Sequence, residues 1–387
     1  MQKDFVVRPK TKYSAYKKIL LTDAQYFTDR TKKSMQTKQI SMLLSNFLSS
    51  FIVFLFCGIF SAEFFGGNSM KKISKVLAVS LAFIAAGTFL CSAKKQKQIK
   101  IGVIQLVEHP ALDASYKGFV DGLKDAGYVD GVNIKIDYEN AQGEQSNCVT
   151  IADKLVSKRS NLIFAIATPA AQAVANKTST IPVLVTAVTD PKTAGLVESN
   201  KMPGTNVSGT SDLTPVAAQI DLLKKIVPSA KKVGLLYCSS EENSRFQINI
   251  AKEACKTAGL SFVDATVSNT NEVQQVVQSL VGKVDAIYCP TDNMIASSMA
   301  TVSLVTTEAK IPVICGESGM CQSGGLATYG INYYELGKQT AKMAVEIFAN
   351  KKKPAEMPIQ YLDKCDFMYN KEVADAIGIK IPADLIK

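Results

Sequence analysis

The chain has 387 residues, of which 47% are apolar, enough for the cores of two ordinary domains and a further N-terminal segment. Its formal net charge of +10 lies almost entirely at the N-terminus, because residues 1–69 hold 10 Lys and Arg against 4 Asp and Glu, and residues 70–93 add three Lys and no acidic residue. After residue 93 the chain has 31 basic and 30 acidic residues. This balance leaves no basic stripe for a phosphate backbone, so the sequence argues against a nucleic-acid-binding function.

Residues 70–93 have the three-part pattern of a secretory signal peptide. Lysines follow Met70, an apolar run extends from Val76 to Cys91, and a polar segment begins at Lys94. The apolar run has 16 residues, which is short for a transmembrane helix, since such a helix needs about 20. The sequence therefore predicts export of everything that follows.

Cys91 is the predicted lipidation site, because a cysteine that ends the apolar run and precedes a polar segment is typical of a lipoprotein signal. The preceding residues, Thr88, Phe89 and Leu90, depart from the usual lipobox, which has Leu three residues before the cysteine and Ala or Gly directly before it. Ordinary cleavage after Ala93 is the alternative. Both routes place the body of the protein outside the cytoplasm.

Residues 1–69 do not belong to this signal. Residues 43–65 are apolar enough for a membrane helix, which is one interpretation. The interpretation that we favour is an over-extended reading frame, in which translation starts at Met70 and the codons of Gly66 and Gly67 form the ribosome-binding site. Glycine codons other than GGA or GGG at these positions would remove its main support.

Beyond residue 98, short apolar runs rich in β-branched residues alternate with amphipathic stretches, which predicts parallel sheets covered by helices. The predicted strands are 100–105, 133–138, 162–167, 182–186, 232–237, 261–266, 286–289 and 312–315. The predicted helices are 112–126, 146–158, 169–177, 215–226, 244–258, 271–281, 297–309 and 333–349. These elements form two halves of four strands each, and the residues after Ile359 are expected to add an edge strand and a short helix. The predicted fold class is α/β, with two doubly wound parallel-sheet lobes.

The cysteines and the single histidine limit the chemistry. Two of the nine cysteines lie in the leader, and the other seven contain no CxxC pair, which argues against a disulfide framework and favours small buried side chains. Cys315 and Cys321 are the one pair considered for a disulfide. His109 is the only histidine, so a His-rich metal site or a Ser-His-Asp triad elsewhere is excluded. Nucleotide-binding, P-loop, GxSxG and zinc motifs are absent from the sequence, which argues against an enzyme.

Polar residues follow the predicted strands, at the sheet edge where open α/β sheets bind ligands. The candidate ligand-binding residues are Gln105, Thr168, Ala170, Thr189 and Asp190 in the first half and Ser239, Ser240, Asn243, Ser244, Asp292, Glu317, Tyr329 and Asn332 in the second. Thr168 and Pro169 are predicted to cap a helix and to leave the amide of Ala170 free for an anion, although a simple capped helix explains them too. Because both halves place such groups at the same kind of edge, we favour a binding site.

Six motifs carry a family resemblance, and they occur in this order: VIQLVEHPALDASYKGF, IATPAAQAVAN, VTAVTDP, LLYCSSEENS, YCPTDN and GINYYELGKQTAKMA. Together they resemble the ABC transporter substrate-binding lipoprotein family, which has tryptophan- and tyrosine-binding members, over nearly all of residues 99–387. The resemblance implies a type I periplasmic-binding fold, in which two lobes joined by a hinge close on a ligand. The expected lobes are 98–207 with 333–357, and 208–332 with 358–387. Residues 1–69 have no counterpart in the family. The resemblance implies no cofactor and no catalysis.

The resulting hypothesis is an exported, lipid-anchored binding protein that delivers a small molecule, expected to be an aromatic amino acid, to an ABC permease and its ATPase. The ligand carboxylate is expected at Thr168 and Ser239 or Ser240. The ammonium is expected at Asp190 or Asp292, since a buried cation needs an acidic partner. A loop aromatic such as Tyr329 is expected to stack on the ring. The alternatives are a sugar or nucleoside in the same clamp, an exported α/β enzyme, and an adhesin or sensor domain.

Overall fold

The computed structural model describes residues 98–386, which form two α/β lobes. The predicted signal peptide, the lipidation site Cys91 and residues 1–69 lie outside the described residues. Within residues 98–386, no helix is long and apolar enough to cross a membrane.

The first lobe is built on a five-stranded parallel sheet of order β2-β1-β3-β4-β5. Its strands are β1 (Ile99–Gln105), β2 (Ile134–Asn140), β3 (Leu162–Ile166), β4 (Val183–Val188) and β5 (Val207–Ser211). Its helices are α1 (Pro110–Asp125), α2 (Gln145–Ser157) and α3 (Thr168–Ala175). Every residue of β3 and β4 is buried, because helices cover both faces of a parallel sheet.

The second lobe has a six-stranded sheet of order β11-β10-β9-β8-β6-β7, parallel except for the β10–β11 pair at the edge. Its strands are β6 (Lys232–Cys238), β7 (Ser261–Val267), β8 (Ala286–Cys289), β9 (Val313–Cys315), β10 (Ala327–Gly330) and β11 (Asp366–Tyr369). The remaining helices are α4 (Val216–Ile226), α5 (Glu242–Thr257), α6 (Val273–Leu280), α7 (Asn293–Ser297), α8 (Met299–Glu308), α9 (Ser318–Gln322), α10 (Tyr333–Asn350) and α11 (Lys371–Ile377), with 3-10 turns at Thr270–Glu272 and Pro354–Glu356.

The predicted fold class is confirmed, but the sequence revealed neither β10 nor β5. This strand, VSGTS, is made of small and hydroxylated residues, and its hydroxyl groups are buried because they find partners. Ser208 Oγ donates to the Met357 carbonyl at 2.6 Å, and Thr210 Oγ1 donates to Thr186 Oγ1 at 2.9 Å. Since β5 pairs with β4, the expected lobe division at 207/208 falls inside a strand of the first sheet.

Three segments connect the lobes: residues 212–215 after β5, residues 331–332 after β10, and the stretch 361–365 before β11. Near the last of these, the Gln360 amide donates to Gly209 in β5, so the chain leaves the first lobe only after residue 360. Residues 358–360, expected in the second lobe, therefore lie with the first. Connecting segments of this kind form the hinge between two rigid lobes.

Helix α10 returns to the first lobe and packs on α1 through two glycines. A Cβ on Gly337 would lie 2.0 Å from the Ser115 carbonyl oxygen, and one on Gly118 would lie 2.0 Å from the Tyr334 carbonyl oxygen. The Ser115 hydroxyl donates to the Tyr333 carbonyl at 3.3 Å across the same contact. Glycine is required at both positions because the two backbones approach too closely for any side chain.

We predict that Gly337→Ala lowers the free energy of unfolding by about 1–3 kcal/mol or more, because the added methyl group forces α10 away from α1. Lys342→Ala, an exposed position of the same helix, is the matched control and changes stability by about 0.5 kcal/mol or less. Urea unfolding of the purified protein measures both. Equal stability of Gly337→Ala and wild type would contradict the close contact.

Candidate ligand-binding cleft

The carboxyl ends of the strands in both sheets face one cleft between the lobes. In sheets of this strand order the crevice lies where the order reverses, here between β1 and β3 and between β6 and β8. A cavity of about 10 Å³ lies there, the size that holds one water molecule. Its lining residues are His109, Leu112, Ala187, Asp212, Asn243, Thr291, Asp292, Asn293, Ala296, Glu317 and Tyr333.

Asp212 is the acidic residue contributed by the hinge. It follows β5 directly and is buried. Its Oδ2 accepts from the Tyr333 hydroxyl at 2.7 Å, and its Oδ1 accepts from Thr189 Oγ1 at 3.1 Å. Burial raises the pKa of Asp212 above its usual value. Its side-chain partners are hydroxyl groups, so this carboxylate retains capacity for a stronger donor.

Asp292 is bound by groups of its own lobe. It is the N-cap of α7 and accepts from the Ile295 amide at 2.8 Å, the Cys238 amide at 2.6 Å and the Ser244 hydroxyl at 2.7 Å. These bonds close the turn after β8 and tie it to β6. Although burial raises the pKa of Asp292, its oxygens are already engaged.

Glu317 has the same structural role at the start of α9. Its carboxylate accepts from the amides of Gly319 and Met320, the second at 2.6 Å. Burial raises the pKa of Glu317 to about 7, with the nearby charge of Asp212 acting in the same direction. Glu317 therefore changes its charge near neutral pH.

Two further acceptor atoms in the lining have no partner. The Asn243 amide group donates to Glu241 Oε2 at 3.1 Å and to the Thr291 carbonyl at 3.0 Å, which leaves its Oδ1 buried and unbonded. His109 Nδ1 is also buried and unbonded, while Nε2 lies 3.3 Å from Asn293 Oδ1. Burial lowers the pKa of His109 to about 4, so the imidazole is neutral at physiological pH.

Thr168 and Gln105 bring unpaired polar atoms to the carboxyl ends of β3 and β1. The predicted cap at Thr168 is wrong: the N-cap is Ala167, whose φ of +82° turns the chain sharply, and Thr168 is the first helical residue. The Thr168 hydroxyl is therefore not used for capping and is buried without a partner. Gln105 donates to Asp113 Oδ1 at 2.6 Å and leaves its Oε1 unbonded. Ala170 is fully buried in the first turn of α3.

Several predicted residues do not lie in the cavity lining. Ser239 and Ser240 are exposed, so their expected contact with a ligand carboxylate is not supported. Asp190, the expected ammonium partner, accepts from the Thr193 amide at 2.6 Å and from Asn200 Nδ2 at 2.8 Å, which closes a local turn.

Tyr329 and Asn332 are likewise structural. The Tyr329 ring packs on Phe367 at 5.8 Å in the core of the second lobe, so it does not stack on a ligand in this arrangement. Asn332 is the exposed N-cap of α10 and accepts from the Glu335 amide at 3.2 Å. Thr189 and Ser244, by contrast, are buried beside the cavity through their bonds to Asp212 and Asp292.

Asp212 and Tyr333 line the cavity but were not predicted from the sequence, where His109 was named only as the single histidine. Asp212 ends the segment VSGTSD, which was not recognised as a strand, so it was not placed at a sheet edge. Tyr333 was counted only as the first residue of a helix. Thr291 and Asn293 flank the predicted Asp292 and were obtainable from the same loop.

The cysteines and acidic residues of the described chain form no covalent or metal centre. All seven cysteines after residue 98 are free, and Cys315 and Cys321 do not pair. Six of them are buried, as small apolar side chains are. Among residues 98–386 no group of three His, Cys, Asp or Glu side chains is arranged to hold a metal ion.

Two doubly wound lobes, joined by three segments and closing on a buried polar cleft, define a solute-binding protein. Residues 100–387 match the ABC transporter substrate-binding protein family, and the chain belongs to that family. A tyrosine-binding protein from Clostridioides difficile (strain R20291) is 46% identical over 334 residues, which cover 82% of this chain and 96% of the relative.

Two solved structures show the same fold. The first is an ABC domain from Streptococcus pneumonia in complex with L-Trp, 41% identical, with a TM-score of 0.72 over 75% of this chain and 98% of the other. The second is the ligand-free, open structure of a substrate-binding protein with adhesive properties from Clostridium difficile, 48% identical, with a TM-score of 0.58 over 74% and 96%. The ligand complex has the higher TM-score of the two, although its sequence is the less similar.

We predict that Glu317 makes the protein less stable as pH rises from about 4.5 to 7. The folded state keeps the Glu317 proton up to a pKa of about 7, whereas the unfolded chain loses it near 4.5, so the folded state binds more protons in this window. The stabilisation of wild type relative to Glu317→Gln is therefore larger at pH 5 than at pH 8, by about 2–3 kcal/mol.

Urea unfolding at the two pH values measures this difference. Glu335→Gln, an exposed position in the first turn of α10, is the matched control and shifts stability equally at both. A Glu317→Gln difference that does not change with pH would show that the carboxyl of Glu317 is ionised throughout the range.

Proposed function

We propose that this protein captures an aromatic α-amino acid between its lobes and delivers it to an ABC importer. The observation that carries the proposal is the lining of the cavity: three carboxylates, Asn243 Oδ1 and His109 Nδ1 are acceptors, and no lining residue is Lys or Arg. An ammonium group is close to a water molecule in size and has three N–H donors. It supplies both the charge and the donors that this cavity lacks.

Asp212 is the proposed partner of the ammonium group, in place of Asp190 or Asp292. Asp190 is engaged in a local turn, and Asp292 accepts three hydrogen bonds within its own lobe. Asp212 lies at the hinge, and the partners of its side chain are two hydroxyl groups. A cation beside it favours the ionised carboxylate and offsets the effect of burial.

The carboxylate of the ligand is assigned to Thr168 and the amides at the start of α3. The Thr168 hydroxyl is buried and unbonded, and a helix N-terminus attracts an anion through its free N–H groups. Gln105 lies on the neighbouring strand β1, with one unbonded oxygen, and completes this polar edge of the first lobe. The amino acid backbone is then held by both ends, which distinguishes it from a sugar or nucleoside.

An aromatic side chain is supported by the relatives, one named as a tyrosine-binding protein and one solved in complex with L-Trp. Leu112, Ala187 and Ala296 supply apolar surface in the lining. A whole amino acid exceeds a cavity of about 10 Å³, so the lobes have to separate to admit it and then close around it.

We predict that L-tyrosine or L-tryptophan raises the melting temperature, since a ligand that binds only the folded form stabilises it. The chain has no Trp, so L-tryptophan fluorescence reports its own binding. Asp212→Asn weakens binding at least about tenfold, because a hydrogen bond to a charged group contributes about 1.5–3 kcal/mol.

Asp190→Asn is the matched control and retains wild-type affinity, since its oxygens close a turn outside the cavity lining. A parallel screen of common sugars and nucleosides tests the alternative ligands. Stabilisation by one of these and by no amino acid would overturn the proposal, and unchanged affinity in Asp212→Asn would overturn the assignment of the ammonium site.

As a component of an ABC importer, the protein works outside the cytoplasm with a permease and an ATPase. We propose that it is held at the membrane by a lipid on Cys91, with a signal peptide that begins at Met70. The order of lysines, apolar run, cysteine and polar segment supports this.

We predict that Cys91→Ala releases the protein from the membrane fraction and leaves its ligand affinity unchanged, because a lipid anchor acts only through insertion of its acyl chains. Fractionation of cells followed by immunoblotting measures the release. Retention of the variant in the membrane would favour an uncleaved helix in its place.

A further inference from the structure

We propose that His109 recognises the ammonium group of the ligand by accepting a hydrogen bond at Nδ1, and that Glu241 and Asn293 position its imidazole for this role. The inference rests on the proposed amino-acid function and adds to it a specificity-determining residue and two positioning residues. Glu241 is buried in the second lobe, where it bonds to two residues of the cavity lining, Asn243 and Asn293.

Glu241 fixes the orientation of Asn293. Its Oε2 accepts from Asn293 Nδ2 at 2.6 Å and from Asn243 Nδ2 at 3.1 Å, and its Oε1 accepts from the Met294 amide at 3.0 Å. Burial raises the pKa of Glu241 to about 7, and the charge of Asp292 adds to the effect. Either protonation state leaves Oε2 free to accept, so the amide nitrogen of Asn293 faces Glu241 and its oxygen faces the cleft.

Asn293 in turn fixes the tautomer of His109. Its Oδ1 is an acceptor only, and it lies 3.3 Å from His109 Nε2. A hydrogen bond across this distance requires the proton on Nε2, which leaves the lone pair on Nδ1. Nδ1 is buried and unbonded, and its residue, His109, lines the cavity. The cavity therefore meets an acceptor at this position.

The series of hydrogen bonds from Glu241 through Asn293 to His109 crosses from the second lobe to the first. His109 precedes α1 of the first lobe, and Asn293 begins α7 of the second, so their hydrogen bond exists only while the lobes are closed. The acceptor at Nδ1 is thus oriented by the same movement that encloses the ligand. Recognition of the ammonium group and closure of the clamp become one event.

The imidazole has to be neutral to act in this way. Burial lowers the pKa of His109 to about 4, even though Asp212, Asp292 and Glu317 line the same cavity. An imidazolium would point an N–H at the ammonium group and repel it. A ligand without the amine leaves Nδ1, Asn243 Oδ1 and Asp212 without its donors, which costs binding energy because unpaired buried polar groups are unfavourable.

A single histidine makes the test direct, because ¹⁵N-histidine labelling of the full chain gives one imidazole spectrum. With saturating L-tyrosine at neutral pH, we expect a protonated Nε2 and an unprotonated Nδ1 whose resonance moves as it accepts a hydrogen bond. The deaminated analogue 3-(4-hydroxyphenyl)propionate is expected to bind at least about tenfold more weakly. A protonated Nδ1 in the complex, or an Nδ1 resonance that is the same in free and bound protein, would overturn the inference.

Asn293→Asp tests the positioning step. It keeps the size of the side chain, removes the donor to Glu241 and places an acid beside His109, so the imidazole becomes protonated near neutral pH. We expect its ¹⁵N spectrum to show imidazolium and its affinity for L-tyrosine to fall at least about tenfold. Asn271→Asp, an exposed position before α6, adds the same charge and leaves both unchanged.

The outcomes separate the two proposals. If L-tyrosine binds in an Asp212-dependent manner while the ¹⁵N resonance of His109 Nδ1 does not change, the amino-acid function holds and the proposed role of His109 is wrong. If neither L-tyrosine nor L-tryptophan binds wild type, both fall together. The spectrum of wild type needs no variant, so a failure of Asn293→Asp to fold does not remove the test.

Discussion

Three carboxylates, those of Asp212, Asp292 and Glu317, meet at the boundary between the lobes, and no Lys or Arg of the described chain lines the cavity beside them. Removing a carboxylate from water is costly, and here the cost appears as pKa values raised by burial at all three residues. The closed arrangement of the clamp depends on how each of these charges is compensated. Two are compensated from within the fold and one is not.

Asp292 and Glu317 are the two compensated carboxylates, and their hydrogen bonds also stabilise the fold. Asp292 and Glu317 each end a strand-to-helix turn and accept from amides at the start of a short helix. Those helices, α7 and α9, have five residues each and depend on their caps because they are too short to be stable alone. Asp212 lies instead on a hinge segment, at the meeting point of Thr189 from one lobe edge and Tyr333 at the start of α10. Of the three carboxylates, Asp212 is therefore the one proposed to take a ligand cation as its partner.

The sequence predicted the architecture because alternating apolar runs and amphipathic stretches are a long-range pattern that burial enforces. It did not locate Asp212, because β5 is held by hydroxyl groups that bond to β4 and to residues near 357, and such partners are set by tertiary structure. The cap at Thr168 failed for a similar reason: a positive φ at Ala167 is uncommon for a residue with a Cβ and is imposed by the turn at the end of β3. Asp190 was predicted because its TDP turn follows a strongly apolar strand, whereas Asp212 was not considered.

The proposed ligand also supplies partners for buried polar atoms that have none. Gln105 Oε1, His109 Nδ1, Thr168 Oγ1 and Asn243 Oδ1 are buried and unbonded, and an unpaired buried polar group costs about 1–3 kcal/mol relative to a solvated state. Opening the lobes would let water reach the two of these residues that line the cavity, His109 and Asn243, and would also break contacts between the lobes such as the hydrogen bond of His109 Nε2 with Asn293 Oδ1. Reversing a population from 1:99 to 99:1 takes about 5.5 kcal/mol. A ligand that bonds to several of these atoms and neutralises Asp212, as proposed, would contribute toward an energy of that order. On this proposal closure requires both an amine and a carboxylate, and a permease that recognises the closed form would meet loaded protein.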